Sequence, residues 1–277
     1  MTKTWFITGT SSGIGHLLAQ RALMQGDYVI ATARNLQTLA ELKAQYPERL
    51  LDLVLELTDT SSIRQAVDAA FGWAGRVDVV VSNAGYGLVG AAEELSDEQI
   101  ARQLATNLTG SIQFIRAVLP HLRGQGGGRI VQISSEGGQV AYPGFSLYHA
   151  SKWGVEGFIE AVAQEVAGFG IDFMLAEPGP TDTRFGASID YAQEWSEYVG
   201  TPADEVRNAI RSGSFPMKGD AQRTVDILMR AIGKPKPPFR LALGSTAYEH
   251  IHLALSTRLQ ALDAQKSEAY AADKQLS

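Results

Sequence analysis

A doubly wound parallel α/β sheet is the architecture the sequence predicts, with about seven strands, helices on both faces and one domain over residues 1–277. Three observations predict it. Short apolar runs rich in β-branched residues alternate with longer segments of helical period, the order of successive right-handed strand–helix–strand units. Runs such as Val79-Val80-Val81 lack polar alternation, as expected of strands covered on both faces. No repeat of solenoid length and no low-complexity tract interrupts the order.

The elements follow one another along the chain. Strand 4–8 opens it and helix 13–25 follows, stopping at Gly26. Strand 28–33 leads to helix 36–45, and strand 51–57 to helix 60–73, which Thr60-Ser61-Ser62 can cap and Gly75 ends. After strand 77–82, one long helix is expected over 97–123, since Ser96 followed by Asp97-Glu98-Gln99 has the form of a capping box. Gly124 ends that helix, and Gly126-Gly127-Gly128 forms a surface turn into strand 129–134. Helix 148–168 stops at Gly170 before strand 171–177; helix 220–232 and strand 240–243 complete the sheet. Residues 184–219 break the rhythm. They carry Phe185, Tyr191, Trp195, Tyr198 and Phe215 without a clear strand, punctuated by Pro202 and Pro216. A long irregular insert in a compact domain is usually functional, so it reads as a substrate lid, with a surface decoration as the competing reading. The tail 246–277 reads as a helical extension that docks or contacts a second subunit.

Composition narrows the function classes. A hydrophobic share of 45% allows an ordinary core, and the absence of cysteine excludes disulfides, thiolate metal sites and thiol catalysis. A net charge of −6 argues against a nucleic-acid footprint. The N-terminus shows no secretory signal pattern, and no apolar stretch approaches the ~20 residues that cross a bilayer. The expectation is a cytoplasmic protein.

The first strand ends in Thr8-Gly9-Thr10-Ser11-Ser12-Gly13-Ile14-Gly15, and a helix follows directly. A backbone that turns sharply and approaches a pyrophosphate needs such small residues, and the phosphate charge then rests on the helix N-terminus. The second strand ends Ala31-Thr32-Ala33-Arg34-Asn35, with no acid before Glu41. An NAD site usually places a carboxylate there for the ribose hydroxyl; a guanidinium suits a 2′-phosphate. NADP(H) is therefore the expected cofactor over NAD(H). The competing reading of Arg34 is a solvated surface arginine.

Further along, Ser82-Asn83-Ala84-Gly85 ends the fourth strand, Asn107 lies in the long helix, Ser134-Ser135 ends the fifth strand, and Tyr148-His149-Ala150-Ser151-Lys152 opens the next helix. The i, i+4 spacing puts Tyr148 and Lys152 on one helix face. A free phenol, with a pKa of about 10, is a poor base at neutral pH. A neighbouring ammonium lowers that value, so the pair can exchange a proton as an acid/base should. Ser135 can converge on the same crevice, outside the carboxyl ends of the strands.

These pieces, with Pro178-Gly179, stand in the order and spacing of a known family over roughly residues 4–183. The chain resembles a typical single-domain short-chain dehydrogenase/reductase, a carbonyl-reductase-like oxidoreductase on a Rossmann-type fold. The resemblance implies that Tyr148 gives or takes the proton, Lys152 holds the nicotinamide ribose and lowers the Tyr148 pKa, Ser135 polarises the substrate oxygen, and Asn107 holds a water linking Lys152 to solvent. It implies that Asn83, Ala84 and Gly85 line the adenine-ribose side, that Pro178, Gly179, Thr181 and Thr183 lie at the nicotinamide end, and that no metal is needed. Three positions depart from the common pattern. Ser82 stands where asparagine is frequent, Glu56-Leu57 where an aspartate and a valine often flank adenine, and Thr181 where valine or isoleucine is usual.

The expected pocket walls are Tyr86, Gly87, Leu88, Val140, Tyr142, Phe145 and the lid aromatics, Phe185 and Trp195 foremost. Such an apolar cleft suits a lipophilic or aromatic ketone, aldehyde or secondary alcohol, as in hydroxysteroid- and retinol-type members of the family. Two other classes stay open: a cofactor-binding regulatory protein without catalysis, and a redox-neutral epimerase or dehydratase on the same fold. The resemblance also implies a homodimer or homotetramer built on helices 97–123 and 148–168.

Overall fold

The computed structural model of the protein describes residues 2–183 and 185–274. Seven strands form the main sheet: β1 (Thr4–Ile7), β2 (Tyr28–Ala33), β3 (Leu50–Val54), β4 (Val79–Ser82), β5 (Gly128–Ile133), β6 (Ile171–Pro178) and β7 (Arg240–Leu243). All pairings are parallel, in the order β7-β6-β5-β4-β1-β2-β3. The chain leaves β1 toward β2 and later returns to β4 on the other side. That reversal opens a crevice at the carboxyl ends of β1 and β4, the usual ligand position in such sheets.

Alternation along each strand divides the core. Trp5 and Ile7 of β1 and Val79 and Val81 of β4 face α1 (Gly13–Met24), α2 (Ala40–Gln45) and α8 (Ala221–Ile232). Phe6 and Val80 face α3 (Thr60–Ala74), α5 (Ser111–Gly124) and α6 (Ser146–Glu165), where Phe6 meets Phe114 edge-on at 5.1 Å. Each layer excludes water from one sheet face, which is why the strands have no polar side.

Several boundaries differ from the expected ones, each for a local reason. Helix 60–73 is capped by Asp59, whose carboxylate accepts from the Ser61 N–H at 2.8 Å, rather than by Thr60-Ser61-Ser62. Strand 51–57 stops at Val54, so Glu56 and Leu57 lie beyond the sheet. Helix 36–45 begins as a 3-10 turn, Leu36–Leu39, capped by Asn35. Helix 148–168 starts two residues earlier at Ser146 and ends at Glu165; a 3-10 turn, Ala167–Phe169, reaches Gly170.

The single helix expected over 97–123 is three segments: α4 (Asp97–Leu104), a π-helical turn (Ala105–Gly110) and α5. The Ser96 capping box forms as read. The π turn pivots on Asn107, whose amide is engaged on both sides with the Tyr86 backbone: Oδ1 accepts at 3.1 Å and Nδ2 donates at 2.8 Å. Gly110 lets the turn approach Leu57, whose carbonyl oxygen a Cβ would meet at 2.7 Å. Such π bulges frequently mark functional sites.

Within 184–219 a further helix forms, α7 (Pro202–Arg211). The proline read as punctuation is its start signal: Thr201 is the N-cap and Pro202 the first helical residue, where the missing N–H costs nothing. Arg184, the first residue of the expected lid, lies outside the described residues. Two parallel bridges tether the region, Leu88–Val89 to Asp190–Tyr191 and Thr181–Asp182 to Gly219–Asp220. The tail forms α9 (Ser245–Ala264) and α10 (Lys266–Ala271); residues 275–277 lie outside the described part. Among the described residues, no helix is long and apolar enough to cross a membrane.

Candidate active site

The glycine turn leaves β1 under tight steric control. Gly9 has φ +68°, and a Cβ there would sit 2.8 Å from Ala84 Cα. Thr8 and Asn83 lock the turn to β4: the Thr8 hydroxyl oxygen accepts from the Asn83 and Ala84 N–H groups at 2.9 and 3.1 Å. The Asn83 amide in turn donates to the Thr8 and Gly9 carbonyls at 2.9 and 3.1 Å. Thr10 and Gly15 shape the turn from inside. The Thr10 hydroxyl, fully buried, donates to the Thr32 carbonyl at 3.0 Å. A Cβ on Gly15 would fall 2.4 Å from Asn83 Nδ2 and 2.6 Å from the Gly9 carbonyl oxygen. Gly15→Ala is therefore expected to push the Asn83 amide out of place and cost about 1–3 kcal/mol of stability, as overpacking does. Thermal unfolding checks it, and an unchanged Tm would show that the turn absorbs the methyl group.

One cleft of about 810 Å³ collects most of the expected residues. Gly9, Ser11, Ser12, Gly13, Ile14 and Arg34 line one end, followed by Glu56, Leu57, Asn83, Ala84 and Gly85. Ser135, Tyr148, Lys152, Pro178, Gly179, Thr181 and Thr183 line the middle. Arg34 is exposed at its mouth. Glu56 folds back on its own loop, accepting from the Thr58 N–H and hydroxyl at 3.0 and 2.9 Å. The Thr181 hydroxyl donates to the Gly179 carbonyl at 2.8 Å.

The expected acid/base residues sit where β5 meets α6. Ser135 follows β5 and its hydroxyl oxygen accepts from the Gly137 N–H at 3.0 Å. Lys152 is buried, one turn after Tyr148, and its Nζ donates to the Ile133 carbonyl at 3.1 Å and lies 5.7 Å from the Tyr148 ring centre. Burial lowers the Lys152 pKa to about 8, partly offset by the negative charge of Glu156. Burial also pushes the Tyr148 pKa up to about 12; the Ser135 hydroxyl pulls it down and the charge of Glu136 pushes it further up. The lowering expected from Lys152 is not found: burial raises the Tyr148 pKa, and Ser135 is the group that pulls it down. At neutral pH Tyr148 is a neutral phenol with a proton to give and Lys152 is an ammonium. Asn107 is buried behind this group, held to Tyr86 as described and 3.4 Å from the Ser151 hydroxyl. It lies outside the cleft wall, and its carbonyl oxygen accepts from the Ser111 hydroxyl at 3.0 Å.

The structure divides the expected substrate wall. Tyr86, Tyr142, Phe145 and Phe185 line the cleft, with Phe145 and Phe185 set edge-on to Tyr148 at ring-centre distances of 5.8 and 6.0 Å. Leu88, Val140 and Trp195 do not. Leu88 is 1% exposed within a small satellite cluster with Leu95 and Ala192. Val140 is buried, and its carbonyl accepts from the Trp153 indole. Trp195 is 41% exposed and linked by its backbone N–H to Glu94. The bridge to Asp190 holds Leu88, and the contacts to Trp153 and Glu94 hold Val140 and Trp195. Phe215, a lid aromatic, lines the cleft as expected, and Ile189, Ile210 and Met217 of the same region stand where those three do not. The aliphatic members carry no sequence signal of their own, since their approach depends on how α7 folds back.

Two residues beside the acid/base pair also escaped sequence reasoning. His149 accepts from the Tyr142 N–H at Nε2 and donates from Nδ1 to the Gly137 carbonyl, both at 2.9 Å; burial lowers its pKa and the bond to Gly137 partly offsets that. Glu136, next to Ser135, is 2% exposed. Adjacency to the catalytic motif was the available signal for each.

The comparisons with known proteins agree with this geometry. The family model described as short chain dehydrogenase matches residues 3–194. An oxidoreductase of Botryotinia fuckeliana (BOA17) is 38% identical over 251 residues, covering 90% of this chain and 92% of its own length. A 3-ketodihydrosphingosine reductase of Bacteroides thetaiotaomicron is 35% identical, with 86% of both chains covered. The crystal structure of a short-chain dehydrogenase from Streptomyces avermitilis superposes with a TM-score of 0.91 at 35% identity, covering 98% of each chain. A turn, a strand end and a helix start brought to one crevice by the sheet reversal, together with relatives matched over nearly their whole length, place the protein: it belongs to the short-chain dehydrogenase family and is an oxidoreductase of that family.

Proposed function

We propose that the protein interconverts a lipophilic or aromatic ketone or aldehyde and the corresponding alcohol, with NADP(H) as cofactor. The observation that carries this reading is the meeting of Ser135, Tyr148 and Lys152 in one cleft with the glycine turn. A dinucleotide fits the residues present: the turn is stripped of side chains where a Cβ would strike backbone, and the cleft runs on past Arg34 and Lys152. Bound there, the nicotinamide would supply or take the hydride. The chain's own residues do the rest. Ser11, Ser12 and Gly13 present the α1 N-terminus to phosphate, Lys152 reaches the ribose, Ser135 polarises the substrate oxygen and Tyr148 moves the proton. Phe145, Phe185, Ile189, Ile210, Phe215 and Met217 exclude water and favour an apolar substrate. The 3-ketodihydrosphingosine reductase among the relatives, and a bovine retinol dehydrogenase 8 at 32% identity, carry lipid-like substrates in their names and support that class.

Arg34 supports NADP(H), since β2 ends without a carboxylate and the guanidinium reaches the cleft mouth. Arg34→Ala is expected to lower kcat/KM for NADPH about tenfold, the value of one charge-assisted hydrogen bond at an exposed site, and to leave NADH use unchanged. Steady-state kinetics with both cofactors check this; equal losses with both would assign Arg34 to the surface. The wider test is a panel of ketones, aldehydes and secondary alcohols followed by NADPH absorbance. Inactivity with every class would overturn the reading. The absence of cysteine agrees with a cytoplasmic protein, and the resemblance with a homodimer or homotetramer on the segments 97–123 and 148–168.

A further inference from the structure

The C-terminal extension reaches the active site through three side chains. One Glu136 oxygen accepts from the Tyr142 hydroxyl at 2.5 Å. The other is shielded from solvent, has no hydrogen-bond partner among the described residues and lies 3.3 Å from His250 Nδ1. Tyr142 Oη is 2.8 Å from the same nitrogen. Tyr142 has one proton and donates it to the carboxylate, so the His250 N–H donates to the Tyr142 oxygen. An unbroken chain thus joins an imidazole on α9, 43% exposed, to a buried carboxylate next to Ser135.

We infer that α9 sets the electrostatic field at the acid/base site through this chain, with Glu136 and His250 as positioning residues. The inference rests on the reading of Tyr148 as the acid/base. The other charged and titratable groups on the elements packed around the Glu136 turn are already engaged. On α6, Lys152 is bonded to Ile133, His149 to backbone at both nitrogens, and Glu156 to Ser134, Gln139 and Arg240. On β6, Glu177 pairs with Arg240; on α9, Arg258 donates to the Gln139 carbonyl and covers Trp153. His250 is therefore the side chain placed to answer Glu136. With His250 protonated, the Glu136 charge is compensated. With His250 neutral, the carboxylate faces Tyr148 uncompensated, and the phenol holds its proton more tightly, the direction its burial already sets.

Two variants carry opposite signs. Glu136→Gln removes the negative charge and is expected to move the pH profile of alcohol oxidation to lower pH by about one unit. His250→Glu sets a second negative charge against the Glu136 carboxylate and is expected to move it to higher pH, with the KM for cofactor unchanged in both. Profiles that stay in place, or that move in the same direction, would overturn the inference. A wild-type protein inactive on the whole panel would break the acid/base reading instead.

Discussion

Replacing Tyr148 by phenylalanine is expected to lower turnover by about 10²–10⁴-fold, the usual contribution of a positioned acid/base. The substitution removes one oxygen and keeps the ring that packs edge-on to Phe145 and Phe185. Stability and dinucleotide affinity should therefore stay close to wild type, which separates a chemical loss from a folding defect. The protonation states explain why the hydroxyl matters. Burial raises the Tyr148 pKa, so the phenol keeps its proton at neutral pH and, on the proposed reading, is the group that gives it to a developing alkoxide. A Tyr148→Phe protein that binds dinucleotide and keeps more than about a tenth of the wild-type rate would show that another group performs the proton transfer.

The second large effect is on stability. Arg207 of α7 is 1% exposed and pairs at 2.8 Å with Glu94, whose side chain is wholly buried, and at 2.8 Å with Asp204. Burial alone would raise the Glu94 pKa. The Trp195 N–H, Arg207 and the Ala91 N–H outweigh it and hold the carboxyl below its ordinary value. Arg207→Ala leaves that carboxylate buried without its cation and is expected to cost about 3–5 kcal/mol. Urea unfolding reads the loss. Because Glu94 also holds Trp195, and α7 brings Ile210 to the cleft, KM for an apolar substrate should rise as well. The paired substitution of Arg207→Met with Glu94→Leu is expected to recover most of the stability, since it removes both charges together. A cost below about 1 kcal/mol for the single change would mean that the region opens to water and the pair is solvated.

The seven strands and the glycine turn were legible because their signals are local. Apolar runs, β-branched residues and helix stops act over a few residues, and Tyr148 and Lys152 are one helical turn apart. The π turn at Ala105–Gly110 was not legible. It exists because Asn107 bonds to Tyr86, twenty-one residues away, and Gly110 approaches Leu57. The start of α7 was written in Thr201-Pro202, yet α7's place against Glu94 depends on an ion pair across 113 positions. Leu88 and Val140 misled because apolar residues near a crevice have two ways to be buried, and only packing chooses between them; Trp195 misled because its backbone bond to Glu94 leaves the ring facing solvent.

The sequence by itself determined the parallel sheet, the crevice at the carboxyl ends of its strands and the family of chemistry, because periodicity and motif spacing are carried by neighbouring residues. Tertiary structure alone decided the proton affinities of Tyr148 and Lys152, the true wall of the substrate cleft and the link from His250 through Tyr142 to Glu136. Those depend on desolvation and on contacts between distant segments, and neither exists until the chain has closed on itself.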